Sequence, residues 1–363
     1  MSNSISLKTA SHEYPIIIGN EILQKELTIA LAEFDHESGY VIIDENVSRL
    51  HGEMISAILD EFFTQTYELT VPQGEKSKSL SFWTDCVDFL LDNEIKRNSP
   101  VLVIGGGVTG DVGGFATAST LRGVPLIHIP TTLLAMVDSS IGGKTGINHH
   151  TGKNLIGSFY QPKRVIADLQ FLQTLPDNEW INGLSEVLKY GAIRDESILS
   201  DTDVFLEGNF KEISIELLSS LISKCVKVKT DIVQEDEFEG DVRAYLNFGH
   251  TFAHALEKLF GYDKMSHGEA VYLGMLAACK LSNLTGSSID DQPIRKFSTL
   301  YNYRVSKNEL DIEELIENMK SDKKRIDQFI RFVLLNSWQH PTLKTVSDNS
   351  LIKQSWEEVS NQL

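Results

Sequence analysis

A short apolar run that ends in consecutive glycines restricts the fold more than any other feature of the sequence. Residues Pro100–Ile104 lead directly into Gly105-Gly106-Gly107-Val108-Thr109-Gly110, which satisfies the pattern G-x-G-x-x-G. The stretch Val108–Ser119 is rich in Gly, Ala and Thr and can form a helix. Glycine permits a tight turn and a close approach of backbone to phosphate, and a helix N-terminus attracts an anion. The pattern therefore predicts a dinucleotide-binding strand, turn and helix, and a turn without a ligand is the alternative.

Apolar β-branched runs alternate with helical stretches in the first half of the chain. This alternation is typical of a parallel α/β sheet. The predicted strands are Tyr14–Ile18, Tyr40–Ile43, Thr66–Val71, Pro100–Ile104 and Pro125–Ile129, and the predicted helices are Asn20–Phe34, Val47–Phe63 and Ser79–Leu91.

After about Leu169 the pattern becomes mainly helical. The predicted helices there are Asn182–Ile193, Ile213–Glu235, Gly249–Phe260, Gly268–Leu284 and Asp311–Ser321, followed by one strand, Phe329–Leu335. A chain of 363 residues is long enough for two domains. We therefore expect a Rossmann-like α/β N-terminal domain, residues 1–168, and a mainly α-helical C-terminal domain, residues 169–363.

The charge balance restricts the kinds of binding partner that suit this chain. The chain has 33 Lys and Arg against 51 Asp and Glu, a net charge of −18, which argues against general binding of nucleic acid or an anionic membrane. Cys86, Cys225 and Cys279 are far apart and form no CxxC motif, which fits a reducing cytoplasm. The chain has no secretory signal pattern and no apolar run of 18 residues, so we expect a soluble protein. A local basic pocket for a small anion stays compatible with this composition.

The acidic residue that usually binds a ribose is missing from its usual place. In an ordinary Rossmann pattern it follows the glycines by about 20 residues, but here no Asp or Glu occurs between Asp111 and Asp138. Asp44 ends the earlier predicted strand Tyr40–Ile43. If that strand neighbours the glycine strand, Asp44 can accept the ribose hydroxyls. A loop or helix-capping aspartate is the alternative.

Histidines and one glutamate in the helical half are candidate metal ligands. His250 and His254 are four residues apart and share a helix face, and His267 follows 17 residues after His250. Glu186 lies on an otherwise apolar helix face, where an unpaired charge is costly. A zinc site with an open position needs three protein ligands with N and O donors. The spacing alone does not select among these residues.

Several basic residues lie in uncharged or glycine-rich surroundings. Arg122, Lys144 and Lys153 each have glycine neighbours, which leaves them free to reach a bound phosphate. Asp138 lies in the otherwise almost uncharged run Leu121–Gly143, so we expect it to be buried near a ligand, with helix capping as the alternative. Lys227, Lys229 and Arg243 follow in the helical half, where ordinary surface charge is the alternative.

Six segments taken together resemble the 3-dehydroquinate synthases, a family of sugar phosphate cyclases. The match runs in order from about Asp44 to Lys324. Its segments are Gly105–Asp111, Pro130–Gly146, Gly152–Gly157, Glu186–Gly191, Leu246–Thr251 and His267–Val271.

The resemblance implies an NAD-binding α/β domain, a helical domain that holds a divalent metal, usually Zn2+ (or Co2+), and a homodimer. The implied metal ligands are Glu186, His250 and His267. The implied NAD contacts are Asp44, Asn46, Glu75, Lys78, Gly107, Asp111, Thr131, Thr132, Lys144, Lys153 and Thr174. The implied substrate and catalytic contacts are Asp138, Lys144, Asn154, Lys189, Lys229, Arg243, Asn247 and His254. A basic residue of Asp322-Lys323-Lys324 is implied to bind the substrate phosphate, and Arg122 to reach the active site of the neighbouring subunit.

The reaction implied by the resemblance converts 3-deoxy-D-arabino-heptulosonate 7-phosphate into 3-dehydroquinate and phosphate, a carbon–oxygen lyase step of the shikimate pathway. NAD would be used catalytically, without net redox change. Another sugar phosphate cyclase, such as a 2-deoxy-scyllo-inosose or valiolone-type synthase, is the nearest alternative. Lys229, Asn247, His254 and the run 322–324 favour 3-dehydroquinate synthase. A metal-dependent polyol or alcohol dehydrogenase and a non-catalytic binding protein are further alternatives.

Overall fold

The structure is a computed structural model that describes residues 2–10, 12–34, 37–261, 264–322 and 330–363. The strands of these residues are β1 Asn3–Lys8, β2 Glu13–Gly19, β3 Ser38–Asp44, β4 Gln65–Val71, β5 Val101–Gly105, β6 Leu126–Pro130, β7 Lys144–His149, β8 Gly152–Phe159, β9 Arg164–Asp168, β10 Ile330–Ser337 and β11 His340–Val346. The α-helices are α1 Leu23–Leu31, α2 Glu45–Leu59, α3 Leu80–Asp92, α4 Gly107–Ser119, α5 Asp177–Ile193, α6 Glu196–Asp201, α7 Ile215–Glu235, α8 His250–Phe260, α9 His267–Leu284, α10 Gln292–Arg295, α11 Ile312–Asp322 and α12 Asn349–Ser360.

Seven strands form one sheet in the order β1-β2-β9-β6-β5-β3-β4. Only the edge pair β1–β2 is antiparallel, and the other five pairs are parallel. The central strands β5 and β6 are buried at every residue, as expected for a sheet covered on both faces. The predicted parallel α/β fold is confirmed.

The strand order reverses between β3 and β5. The chain passes from β3 to β4 on one side, and then returns to place β5 on the other side of β3, where Tyr40 pairs with Val101 and Ile43 with Ile104. In open α/β sheets, ligands bind outside the carboxyl ends of the strands at such a reversal. The carboxyl ends of β3 and β5 carry Asp44 and the glycine turn.

Helix α4 approaches the sheet closely because it carries glycine at its contact positions. A Cβ atom added at Gly113 would lie 3.0 Å from the side chain of Val103, and one added at Gly114 would lie 2.7 Å from that of Thr145. Small residues at these positions let the helix backbone lie directly on β5 and β7. The start of α4 is thereby held at the carboxyl end of β5.

The chain divides into two compact units. Helix α7 belongs to the first unit, although the rest of that unit ends well before α7 begins. The first unit contains Met1–Pro176 and Ser214–Gln234. The amide of Asn3 donates to the hydroxyls of Ser219 and Ser223, at 3.2 and 3.0 Å, and these contacts attach α7 to β1.

The second unit contains Asp177–Ile213 and Glu235–Leu363. It is built around α9, which is buried along most of its length and packs against α5, α8 and α12. The helical character expected for the second half is confirmed. The predicted division into domains 1–168 and 169–363 stays a prediction.

The hairpin of β7 and β8 was not predicted, because glycine obscured its pattern. A Cβ atom at Gly157 would lie 2.1 Å from the carbonyl oxygen of Thr145 on the facing strand, so this close pairing requires glycine. Glycine is otherwise rare in strands, and its presence argued for a loop. The strands β1, β9 and β11 and the helix α12 were also not predicted. Among the described helices, none is both long and apolar enough to cross a bilayer.

Candidate active site

In the first unit, several of the proposed NAD contacts lie where adjacent strands end. Asp44 ends β3, Gly107 follows β5, and Thr131 and Thr132 follow β6. The backbone amide of Thr131 donates to the carbonyl of Gly105 at 3.0 Å, which joins two of these strand ends. The three strands are neighbours in the sheet, so tertiary structure brings these residues to one edge.

Asp44 meets the condition set for it and also caps a helix. Its strand neighbours the glycine strand, as a ribose contact requires. Its Oδ1 accepts hydrogen bonds from the backbone amides of Asn46, at 2.9 Å, and Val47, at 3.3 Å, at the start of α2. Burial raises the pKa of Asp44 above its usual value, against the effect of these two amides. The capping interpretation is therefore correct, and it is compatible with a ribose contact through the other oxygen.

The first turn of α4 offers backbone amides for an anion. The helix begins at Gly107, directly after β5, and its N-cap Gly106 contributes no side-chain cap. The first amides of a helix have no partner within the helix and carry the positive end of its dipole. In this position, at the reversal of strand order, they suit a dinucleotide phosphate.

The buried Lys78 is the centre of a polar network in the first unit. Its side chain is 5% exposed, and Nζ donates to Asp111 Oδ2 at 2.7 Å and to the side-chain oxygen of Asn154. Glu75 Oε1 lies 3.6 Å from the same Nζ. Burial lowers the pKa of Lys78, but the carboxylates of Asp111 and Glu75 outweigh it, and the net shift is upward. Lys78 is therefore an ammonium in the folded protein.

Asn148 connects this network to the β7–β8 hairpin and was not among the predicted residues. Its amide donates to Glu75 Oε1 at 2.8 Å, and its side-chain oxygen accepts from the backbone amide of Asn154 at 3.0 Å. Lys153 Nζ lies 4.0 Å from Glu75 Oε1. The structure thus brings Glu75, Lys78, Asp111, Lys153 and Asn154 together. Nothing in the local sequence distinguishes Asn148, because its contacts are with Asn154 across the hairpin and with Glu75, which is remote in sequence.

Asp138 and Lys229 form a pair that is 91 residues apart in sequence. Asp138 lies in the π-helix Ala135–Ser139, and Lys229 lies on α7. Lys229 Nζ donates to Asp138 Oδ1 at 2.8 Å and to its backbone oxygen at 2.6 Å. The side chain of Asp138 is 27% exposed, so it is partly rather than fully buried, and its burial near a ligand stays a prediction. The partly exposed carboxylate has a buried ammonium as its partner.

Other predicted residues of the first unit lie outside these clusters. Thr174 Oγ1 lies 2.7 Å from His51 Nε2 and also donates to the carbonyl of Phe171. Lys144 is the exposed first residue of β7, and Arg122 is exposed with a φ of 67°. The role of Arg122 in a homodimer stays a prediction. Lys323 and Lys324 lie outside the described residues, and so does the predicted phosphate contact on them.

In the second unit, Glu186, His250 and His267 converge. Each offers one ligand atom, and these atoms all lie within 4.8 Å of one another. His250 Nε2 lies 3.4 Å and His267 Nε2 3.5 Å from Glu186 Oε1. The Nδ1 atoms face other acceptors, the carbonyl of Phe248 at 3.2 Å and Glu257 Oε1 at 2.9 Å. Both imidazoles therefore direct Nε2 toward the carboxylate.

The start of α9 is held in place by local and long-range contacts. Ser266 and Glu269 form a capping box, so the helix begins at His267. The amide of Gly268 donates to Asn182 Oδ1 on α5, and the hydroxyl of Ser185 donates to the carbonyl of Gly268 at 2.7 Å. These contacts set the position of His267 relative to Glu186 on α5.

The burial of Glu186 tests whether this cluster suits a cation. Its side chain is 1% exposed, its Oε2 forms an ion pair with the ammonium of Lys189, and its Oε1 faces the two imidazoles. Burial raises the pKa of Glu186, but Lys189 and His250 outweigh it and hold that pKa well below its usual range. A buried ionised carboxylate needs positive partners. Two imidazole nitrogens and one carboxylate oxygen form the donor set of an open zinc site, so the residues fit a divalent ion.

His254 lies beside this cluster but not in it. Its ring centroid is 5.8 Å from that of His250, with the two rings nearly perpendicular, and its side chain is exposed. Of the three histidines, the fold therefore brings His250 and His267 to Glu186 and leaves His254 accessible for another role.

Arg243 and Asn247 are held by a loop of the same unit. Arg243 is 1% exposed, and its guanidinium donates to the carbonyl of Glu237. The amide of Asn247 donates to Glu239 Oε1 at 2.8 Å. Asp236 accepts from the backbone amides of residues 240, 241 and 243, which closes the loop. The two proposed substrate contacts are thus ordered by acceptors that lie within a few residues.

Glu257 was missed by the sequence reasoning. It is 2% exposed and contacts His267, although it lies on α8. It follows His250 by seven residues, or two helical turns, so both residues lie on one face of α8. That spacing was available in the sequence as a signal.

Comparisons with known proteins agree with the resemblance noted above. The model of the N-terminal part of 3-dehydroquinate synthase matches residues 68–182, and that of the C-terminal part matches residues 183–325. The 3-dehydroquinate synthase of Methylococcus capsulatus is 41% identical over 360 residues, which cover 98% of each chain. That of Vibrio atlanticus is 37% identical over 356 residues, which cover 97% of each chain.

Solved structures of other sugar phosphate cyclases share the fold. A 2-deoxy-scyllo-inosose synthase, complexed with carbaglucose-6-phosphate, NAD+ and Co2+, has a TM-score of 0.85 at 24% identity and covers 99% of this chain and 100% of its own. A 2-epi-5-epi-valiolone synthase from Streptomyces hygroscopicus, with NAD+ and Zn2+ bound, has a TM-score of 0.87 at 22% identity with the same coverage. At these identities the likeness concerns the fold.

The two 3-dehydroquinate synthases named above share more than a third of their residues with this chain, and the two other cyclases named above resemble it at 24% and 22% identity. The expectation drawn from the motifs is therefore confirmed, and the chain is a sugar phosphate cyclase that belongs to the 3-dehydroquinate synthase family.

Proposed function

We propose that this chain converts 3-deoxy-D-arabino-heptulosonate 7-phosphate into 3-dehydroquinate and phosphate, as a carbon–oxygen lyase that uses NAD and a divalent metal ion. The observation that carries the proposal is the convergence of the buried Glu186 with His250 and His267 in a chain of this family. Its donor set suits Zn2+ or Co2+. When bound, NAD supplies a reversible hydride acceptor, and the metal supplies a Lewis acid.

The residues of the first unit are suited to hold NAD. The first amides of α4, beside Gly107, face the carboxyl edge of the sheet and can hold the pyrophosphate. Asp44 can accept the ribose hydroxyls, and the ammonium of Lys78, fixed by Asp111, adds a positive charge. Thr131 and Thr132 complete the edge at β6. These residues bind and orient the cofactor, while the hydride chemistry belongs to NAD.

The basic residues are suited to hold an anionic substrate. The substrate carries a carboxylate and a phosphate, and the chain as a whole carries a net charge of −18. Local cations must therefore provide the attraction. We assign this attraction to Lys144 and Lys229 in the first unit and to Lys189 and Arg243 in the second, and Lys229 and Arg243 are buried and ordered by their acceptors. We also assign His254, whose ring lies beside that of His250, to the substrate contacts.

The test is release of inorganic phosphate by purified protein. Protein, NAD and Zn2+ or Co2+ are expected to release phosphate from the heptulosonate phosphate, and to stop when NAD is omitted or a chelator is added. NADH is not expected to accumulate, which separates a cyclase from a polyol dehydrogenase. Release from glucose 6-phosphate or sedoheptulose 7-phosphate, but not from the heptulosonate phosphate, would assign the chain to another cyclase and refute the proposal.

The metal assignment has a matched control. Glu186→Gln keeps the size of the side chain but removes the charge that faces the two histidines, so it is expected to abolish both metal binding and turnover. Glu358→Gln removes the carboxylate of another ion pair in the same unit, 2.8 Å from Arg295, and is expected to leave both unchanged. Retained activity in the Glu186 variant would remove it from the ligand set. The homodimer, the cytoplasmic location and the lack of nucleic-acid or membrane binding stay predictions.

A further inference from the structure

We propose that Glu257 is a positioning residue for the metal site, holding His267 in the tautomer and orientation in which Nε2 is a ligand. The inference rests on the metal-binding part of the proposed function. It adds a residue that lies on a different helix from His267.

The contact fixes the proton of the imidazole. Glu257 Oε1 lies 2.9 Å from His267 Nδ1, and an ionised carboxylate can only accept a hydrogen bond. In that contact Nδ1 is the hydrogen-bond donor, so Nε2 is the nitrogen that can bind a metal ion. That Nε2 lies 3.5 Å from Glu186 Oε1, on the side where the ligand atoms meet.

The two histidines differ in what supports them. His250 Nδ1 lies 3.2 Å from a neutral acceptor, the carbonyl of Phe248, whereas His267 has a carboxylate. A carboxylate behind an imidazole makes it a stronger base and a stronger metal ligand, and removal of such a partner costs 10- to 100-fold in metal affinity in other proteins. His267 is also the more exposed ligand, with a side chain that is 29% exposed against 12% for His250. It therefore has more need of a partner that restricts its ring.

The fold makes Glu257 a rigid partner. It is 2% exposed and lies in the interior of α8, which packs against α9. Since His250 is the first residue of the same helix, α8 supplies one ligand directly and orients a second. A change in the position of α8 relative to α9 would alter both.

The experiment measures affinity for Zn2+ and Co2+ by competition with a chromogenic chelator, without substrate or NAD. Glu257→Ala is expected to weaken binding by about 10- to 100-fold. Glu257→Gln is expected to weaken it less, because the amide oxygen still accepts from Nδ1 but lacks the charge. The control Glu358→Gln is expected to bind as the unsubstituted protein does. The visible spectrum of bound Co2+ is expected to change in the Glu257 variants only.

A double variant separates positioning from a general effect on structure. In a His267→Ala background, measured at higher metal concentration, Glu257→Gln is expected to have no further effect, because the histidine on which it acts is absent. An equal loss in both backgrounds would overturn the inference. Unchanged affinity and an unchanged Co2+ spectrum in Glu257→Gln and Glu257→Ala would also overturn it, while leaving the proposed function intact.

Two further results have defined consequences. If the unsubstituted protein binds neither ion, the proposed function fails and this inference fails with it. If Glu257→Ala does not fold, as judged by far-ultraviolet circular dichroism, Glu257→Gln alone decides, since it keeps the volume and one acceptor atom.

Discussion

The contact between Gly268 and α5 makes a sharp prediction for Gly268→Ala. A Cβ atom at this position would lie 2.4 Å from the carbonyl oxygen of Asn182, 2.5 Å from its Cα and 2.7 Å from its Oδ1. Gly268 does not adopt a positive φ, so the backbone accepts alanine and the added methyl group alone causes the conflict. Two of the three atoms belong to the backbone of α5 and cannot rotate away.

The displacement and its cost follow from these distances. Nonbonded carbon atoms rest about 3.5–4.0 Å apart, so the start of α9 must move away from α5 by on the order of 1 Å. Overpacking of this kind costs about 1–3 kcal/mol, and each of the two hydrogen bonds of Gly268 that the movement breaks costs about 1 kcal/mol more. The expected total is about 3–5 kcal/mol of unfolding free energy. His267 is adjacent, and since metal ligands tolerate errors of only about 0.2 Å, metal affinity is expected to fall at least about tenfold.

The assay combines urea denaturation, followed by circular dichroism, with chelator competition for Zn2+. The control is Gly52→Ala in α2, where the added Cβ would meet only Ser48 Oγ, at 3.7 Å. Replacing a glycine inside a helix by alanine stabilises it by up to about 1 kcal/mol, so the control should be neutral or more stable. If Gly268→Ala matches the control in both stability and metal affinity, the argument from close approach is wrong.

The other predictions concern the metal ion, the buried ammonium and one histidine. Removal of the metal with a chelator should lower the melting temperature of the unsubstituted protein but not that of Glu186→Gln, which differential scanning fluorimetry can measure; equal shifts would contradict the ligand assignment. Lys78→Met breaks a buried pair, so it should cost about 3 kcal/mol in urea denaturation and weaken NAD binding measured by calorimetry, and unchanged NAD affinity would place Lys78 outside the cofactor site. Burial lowers the pKa of His128 from 6.5 to about 4. As the pH falls below 6.5, the unfolded chain therefore binds a proton at His128 that the folded chain does not bind. The contribution of His128 to the free energy of unfolding is fully present above pH 6.5 and declines by up to about 3 kcal/mol toward pH 4. The His128→Gln variant should lack this part of the pH dependence in denaturation curves.

Much of the first unit could be predicted because its signals are local. Whether a short segment forms a strand, a turn or a helix depends largely on burial and hydrogen bonding within a few residues. Such local patterns predicted the strand Pro100–Ile104, the glycine turn after it and the alternation of strands and helices. The same holds for the long helices of the second half. The hairpin of β7 and β8 was missed because its glycines serve a partner strand, which local propensity does not record.

Tertiary structure decided which chemically suitable residues meet. The sequence by itself determined the residue types, the helix that bears His250 and His254, and the glycine turn that opens α4. Only packing selected His267 over His254 as the neighbour of Glu186, placed Lys229 beside Asp138 across 91 residues, and put Glu257 behind His267. The physical reason is that these contacts join elements remote in the chain, and their positions follow from the burial of whole helix faces and the order of strands. The spacing of His250 and Glu257 places both on one face of α8, but no short pattern shows which remote residue either of them meets.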